Sequence, residues 1–154
     1  MTTAARRAIV LTLAVVALGA CGGDDSSAGA GGGVTITDAW ARTTPPGTTV
    51  GAVYFTATSE LDDALLGVTV DPDVAAIATL HSTTTDGAGT TSMAALESLD
   101  VPANGELVLE PTGNHVMLVD LAGPLEEGDT FELTLSFATA RDETVTVEVR
   151  PEAP

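Results

Sequence analysis

The chain has 154 residues, 44% of them apolar but only 3% aromatic, with a formal net charge of −17. That length suits one domain, whose core must be built from Val, Leu, Ile and Ala. With no lysine and five arginines, it lacks the basic surface needed to bind nucleic acid or to cling to anionic lipid; its acidity describes a self-repelling, solvated surface.

Arg6 and Arg7 give the N-terminus positive charge, and Ala8 to Leu18 follow as a short apolar run. The run falls short of the ~20 apolar residues of a spanning helix and reads as a targeting signal. Leu18-Gly19-Ala20-Cys21 resembles a bacterial lipobox. The resemblance implies that residues 1–20 are a signal peptide, that cleavage precedes Cys21, and that Cys21 is acylated. The protein would then be anchored by lipid to the outer face of the bacterial cell membrane, in the periplasm or cell envelope. Cys21 is the only cysteine, so the domain has no disulfide and no thiolate ligand. Residues 22–33 (GGDDSSAGAGGG) cannot bury a core. Together 21–33 form the acylated cysteine and a tether with a reach of roughly 20 Å.

A domain over residues 34–151 follows, with 152–154 as a tail. Val34 to Trp40 alternates as a first strand. Pro45-Pro46-Gly47 marks a loop, and Val50 to Ala57 and Leu65 to Val70 read as strands. Asp71-Pro72-Asp73 predicts a turn or a single helical turn before a strand from Ile77 to His81. Thr83 to Thr91 is polar enough to predict a hairpin loop, followed by a short strand over Ser92 to Leu96. Val101 to Gly105 contains Asn104-Gly105, a turn signal. Glu106 to Glu110 and His115 to Leu121 are strands. Thr130 to Phe137 places Phe131, Leu133, Leu135 and Phe137 on one face, and Thr144 to Val149 does the same with Val145, Val147 and Val149. About eight short strands with turns between them predict an all-β fold, an antiparallel sandwich or a Greek-key barrel.

The stretch Asn114-His115-Val116-Met117-Leu118-Val119-Asp120-Leu121 carries the chemistry. Strand alternation puts His115 and Met117 on one face, about 6–7 Å apart along the backbone. Beyond residue 20 the chain holds two histidines and two methionines: His81, then eleven residues, Met93, twenty-one residues, His115, one residue, Met117. Core-filling methionines are usually scattered. Two imidazoles and two thioethers are a soft donor set that selects Cu(I) over hard ions. No calcium-type acidic loop is present, and without a thiolate an electron-transfer copper centre is not expected. No Ser-His-Asp arrangement or catalytic carboxylate pair stands out, so no enzyme is expected. The alternative is a lipid-anchored β-sandwich for adhesion or assembly, without metal.

The spacing resembles that of the PCuAC family of periplasmic copper chaperones: His, an optional Met, ten residues, Met, twenty-one residues, then His-x-Met. Here the series is His81, Ser82, ten residues, Met93, twenty-one residues and His115-Val116-Met117. Ser82 stands at the optional methionine. Asp38 to Arg42, Pro45-Pro46-Gly47, Gly51 to Tyr54 and Pro124 to Asp129 also resemble family segments. The resemblance implies a cupredoxin-like Greek-key β-sandwich with Cu(I) held by His81, Met93, His115 and Met117. It implies delivery to the CuA site in subunit II of cytochrome c oxidase, directly or through a thioredoxin-like assembly factor. A second copper site in a His/Met-rich tail is not expected, because the chain ends Arg150-Pro151-Glu152-Ala153-Pro154.

Overall fold

The alternating segments form strands in a computed structural model that describes residues 33–151. The signal segment, Cys21, the tether to residue 32 and the tail at 152–154 lie outside the described residues. The strands are β1 (Thr35–Arg42), β2 (Val50–Ser59), β3 (Asp63–Val70), β4 (Ala75–Thr85), β5 (Thr91–Leu96), β6 (Leu99–Val101), β7 (Gly105–Val108), β8 (Asn114–Leu121), β9 (Thr130–Phe137) and β10 (Glu143–Arg150). No helix is present among the described residues. Ten strands form among the described residues, against an expected eight or so. The three-residue β6 is too short to show a periodicity.

Hydrogen bonding links the strands in the order β5-β4-β8-β2-β1-β10-β9-β3-β6, with β7 also paired to β2. The sheet folds over, because residues from both ends of this path share one core. Leu80, Val116 and Leu118 from one half pack in the same cluster as Leu65, Leu133, Leu135 and Val147 from the other. The alternation expected for β9 and β10 holds: Leu133, Leu135, Val147 and Val149 are fully buried. The architecture is the all-β, cupredoxin-like sandwich. It is not wholly antiparallel, since β1 and β10, in the middle of the path, pair in parallel.

Three local features depart from the simple pattern. First, β1 does not alternate throughout. Its register against β2 shifts between Thr37 and Trp40, and Asp38 adopts φ 53°. Aspartate tolerates this left-handed conformation because its short side chain can bond locally. The extra residue is a bulge. It sets Ile36 opposite Ala57 and Ala41 opposite Val53, and turns Trp40 to face Tyr54 on the other side of the sheet.

Second, the predicted Thr83–Thr91 loop is mostly strand. β4 runs to Thr85 and β5 starts at Thr91, leaving a short turn in which Asp86 Oδ1 accepts from the amides of Ala88 (2.9 Å) and Thr90 (2.8 Å). Threonine is polar but β-branched, and it suits an exposed pleated surface. Cross-strand hydroxyl pairs reinforce the hairpin, Thr84 with Ser92 at 3.1 Å and Thr85 with Thr91 at 3.2 Å. Third, the turn at Asp71 closes early, with Val74 N donating to Asp71 O at 2.9 Å, so β4 begins at Ala75 rather than Ile77.

Candidate metal centre

Two strand pairings assemble the candidate ligands. β4 and β8 are antiparallel with His81 directly opposite His115 and Thr79 opposite Met117. β4 and β5 are antiparallel with Thr83 opposite Met93 and His81 opposite Ala95. Side chains two apart share a face, so His81, Met93, His115 and Met117 all belong to one face of the β5-β4-β8 sheet. The opposite face supplies the core, where Val116 and Leu118 are 0% exposed. The alternation expected around His115 is therefore the alternation found.

The two imidazoles lie close together, with ring centroids 6.0 Å apart. His115 is 6% exposed. Its Nδ1 lies 3.2 Å from the Gly113 carbonyl, which can only accept. That bond fixes the proton on Nδ1 and leaves the lone pair on Nε2. His81 is different. Its Nδ1 is buried and has no hydrogen-bond partner. Such a group costs free energy unless something satisfies it. Burial, and then the neighbouring His115, holds the His81 imidazole below its ordinary pKa of 6.5. Both effects favour the neutral ring, the form that can donate a lone pair.

Met93, His115 and Met117 line one cavity of about 260 Å³, with Thr83, Tyr54 and Arg42 among the other walls. His81 is not part of that lining; it sits beside it, against His115. Met93 is 58% exposed on the edge strand β5, and Met117 is half-buried. The structure thus gathers the two rings and Met117 on neighbouring strands. Met93 comes in from the edge along the same face.

Sequence reasoning did not assign a role to the aromatic row that backs the site. Trp40 packs against Tyr54 with the rings tilted by 40° and centroids 4.7 Å apart, and Tyr54 lies 6.5 Å from His115. Both Trp40 and Tyr54 are buried. Tyr54 reaches this position because β2 pairs with β8 through Val53 opposite Val116. Trp40 reaches it through the bulge at Asp38. Burial raises the phenol pKa of Tyr54, partly offset by the positive charge of Arg42, so the phenol stays neutral beside the rings. Asp38 to Arg42 and Gly51 to Tyr54 carry the family resemblance, and that was the available signal.

Among the described residues, no group of three or more His, Cys, Asp or Glu could hold a metal. The donors gathered on this face are two imidazoles and two thioethers. That donor set fits a soft monovalent ion and does not fit Ca²⁺ or Mg²⁺, which take oxygen ligands.

Comparison with known proteins gives a consistent answer. A family model describing LpqE-like lipoproteins matches residues 34–149. A curated protein of Leifsonia xyli subsp. xyli that bears a lipoprotein name, Lxx21020, is 30% identical over 118 residues, covering 77% of this chain and 70% of its own length. Among solved structures, the copper-bound PCuAC domain from PmoF2 aligns over 80% of this chain and 95% of that domain, at 26% identity and a TM-score of 0.62. The Cu(I) form of DR1885 from Deinococcus radiodurans aligns over 76% of this chain and 79% of its own, at 31% identity and a TM-score of 0.58.

Proposed function

The chain belongs to the LpqE-like family and has the fold of PCuAC domains, and from these premises we propose that it is an extracytoplasmic Cu(I) chaperone. Copper is its cargo. His81, Met93, His115 and Met117 are the ligands. The observation that carries this reading is the buried, unpartnered Nδ1 of His81 beside His115. A bound ion would satisfy that nitrogen. Support also comes from the two structural relatives that hold copper, one of them as Cu(I).

The residues divide the work by position. His115 offers Nε2, because its Nδ1 proton is committed to Gly113. His81 offers the orphaned nitrogen. By analogy with zinc, each imidazole would stand about 2.0–2.1 Å from the ion, and rings 6.0 Å apart leave room for one ion between them. Met117 contributes a thioether from the same strand as His115. Met93, exposed on the edge strand, contributes the fourth donor and is the first that an acceptor would meet. Release then proceeds by stepwise ligand exchange, with Met93 leaving before the two rings. No proton need move onto a thioether, so only the histidines make the affinity depend on pH.

Two finer statements belong to the same proposal. The acceptor is the CuA site of cytochrome c oxidase subunit II, reached directly or through a thioredoxin-like assembly factor. The chain is organised as a signal peptide (1–20), acylated Cys21 with its tether (21–33) and the copper-binding domain (34–151), held at the membrane by lipid. The lipoprotein description of the family and of the Leifsonia relative supports the anchor.

The test is a chelator competition. Met93→Ala combined with Met117→Ala should lower Cu(I) affinity by more than about 100-fold, beyond what loss of an outer-shell partner costs, with an unchanged far-UV spectrum. A folded double variant that competes for Cu(I) as well as the parent would overturn the four-ligand assignment.

A further inference from the structure

The cavity at the candidate site is opposite in charge to the molecule around it. The chain carries 22 acidic residues against five arginines, yet no carboxylate lines this cavity, and Arg42 does. Three other surface cavities each carry acid: Asp71 and Glu132 in one, Glu60 in the second, Asp73 and Asp129 in the third. Glu110 packs near Gly113 but is not part of the lining.

The charge of Arg42 is also uncommitted. Among the described residues the ion pair is Arg150 with Glu148. Arg42 is set opposite Arg150 in the parallel β1–β10 register, and it is Arg150 that pairs with Glu148. The field of Arg42 reaches the wall of the site, where it opposes the effect of burial on Tyr54.

Thioether ligands favour a soft ion, but imidazole also accepts Cu(II) and Zn(II), and Cu(II) heads the divalent affinity order. A polyanionic surface makes this worse, since it concentrates divalent cations more than monovalent ones. Softness alone therefore leaves the His81–His115 pair open to the wrong ions. We propose that Arg42 is a specificity-determining residue that makes the site prefer Cu(I) to divalent ions by charge. The inference rests on reading the four residues as a copper site. A fixed positive charge repels a doubly charged ion twice as strongly as a singly charged one. Its cost to Cu(I) binding is therefore smaller than its cost to Cu(II) binding.

The full chain in mild detergent is titrated in two series, with Cu(I) under reductant against a chromogenic chelator, and with Cu(II) in air against a second chelator. Arg42→Gln should shift the ratio of the two affinities toward Cu(II) by about three- to tenfold, the range a single exposed unit charge supplies. Arg42→Glu should shift it further, by roughly the square of that factor. Arg42→Lys should keep the parent ratio, and added salt should shrink the differences. An unmoved ratio in Arg42→Gln, equal changes in both affinities, or Arg42→Lys behaving like Arg42→Gln would each overturn the assignment. If the parent binds Cu(I) and only the ratio fails to move, the copper site stands and Arg42 alone loses its role. A parent that does not bind Cu(I) overturns both.

Discussion

His81 is the residue on which local chemistry and proposed function meet most closely. Its ring is held neutral by burial first and by His115 second. A folded-state pKa below the ordinary 6.5 has two consequences of fixed sign. In the metal-free protein the unfolded chain takes up a proton first as pH falls, so the contribution of His81 to stability is present above about 6.5 and is lost with acid. In the proposed copper complex, protons compete for His81 only below that value. The part of the pH dependence of Cu(I) affinity that comes from His81 should thus set in only below about 6.5. An NMR titration of the ring with chelator competition at each pH checks this; a His81 contribution setting in well above 6.5 would contradict it. Met93 is the opposite case. It is exposed, so Met93→Ala should change stability by less than about 0.5 kcal/mol in urea denaturation while weakening Cu(I) binding. The four ligand positions were legible in the sequence, because only four such residues remain after the signal segment and their spacing is distinctive. Trp40, Tyr54 and Arg42 lie in segments that resemble the family, but nothing local marks them for a role at the site. They join the site through strand pairings that a linear reading does not contain.

At the scale of elements, Asp63 ties the start of β3 to the loop between β9 and β10. Its carboxylate accepts from the amides of Ala64 (2.8 Å), Thr139 (2.9 Å) and Ala140 (2.8 Å). Slight burial pulls its pKa up, but these bonds outweigh it and hold the group below 3.8. The stabilisation is present above the unfolded value and is lost as pH falls through the folded one. Asp63→Ala should cost about 1–3 kcal/mol in urea denaturation at neutral pH, and the gap between variant and parent should narrow in acid; a gap independent of pH would contradict the carboxylate's role. The bulge at Asp38 predicts a second effect. Val at this position cannot adopt the left-handed backbone cheaply, so Asp38→Val should destabilise by about 1–2 kcal/mol. It should also disturb Trp40, seen as altered fluorescence; an unaffected spectrum would argue against the bulge as its support. β9 and β10 were readable because a two-residue period with large apolar side chains has one interpretation. The bulge was not, since one extra residue changes register without changing composition. The β4–β5 hairpin was hidden for another reason: threonine's polarity suggests a loop, while its branched side chain favours a strand.

The whole molecule combines a sandwich core, a polyanionic surface and a soft, carboxylate-free cavity on one face. The parallel β1–β10 pairing lay beyond sequence patterns, which register that strands exist more readily than which ones meet. The proposed lipid anchor gives a prediction at this scale. Cys21→Ala should move the protein from the detergent phase to the aqueous phase on phase partitioning, and a variant that stays with detergent would contradict acylation at Cys21. The central claim is that His81, Met93, His115 and Met117 together carry one Cu(I). Copper stoichiometry of the purified full chain under reducing conditions, after equilibration against a competing chelator, tests it most directly. One Cu(I) per chain is predicted, and no retained copper would contradict the account.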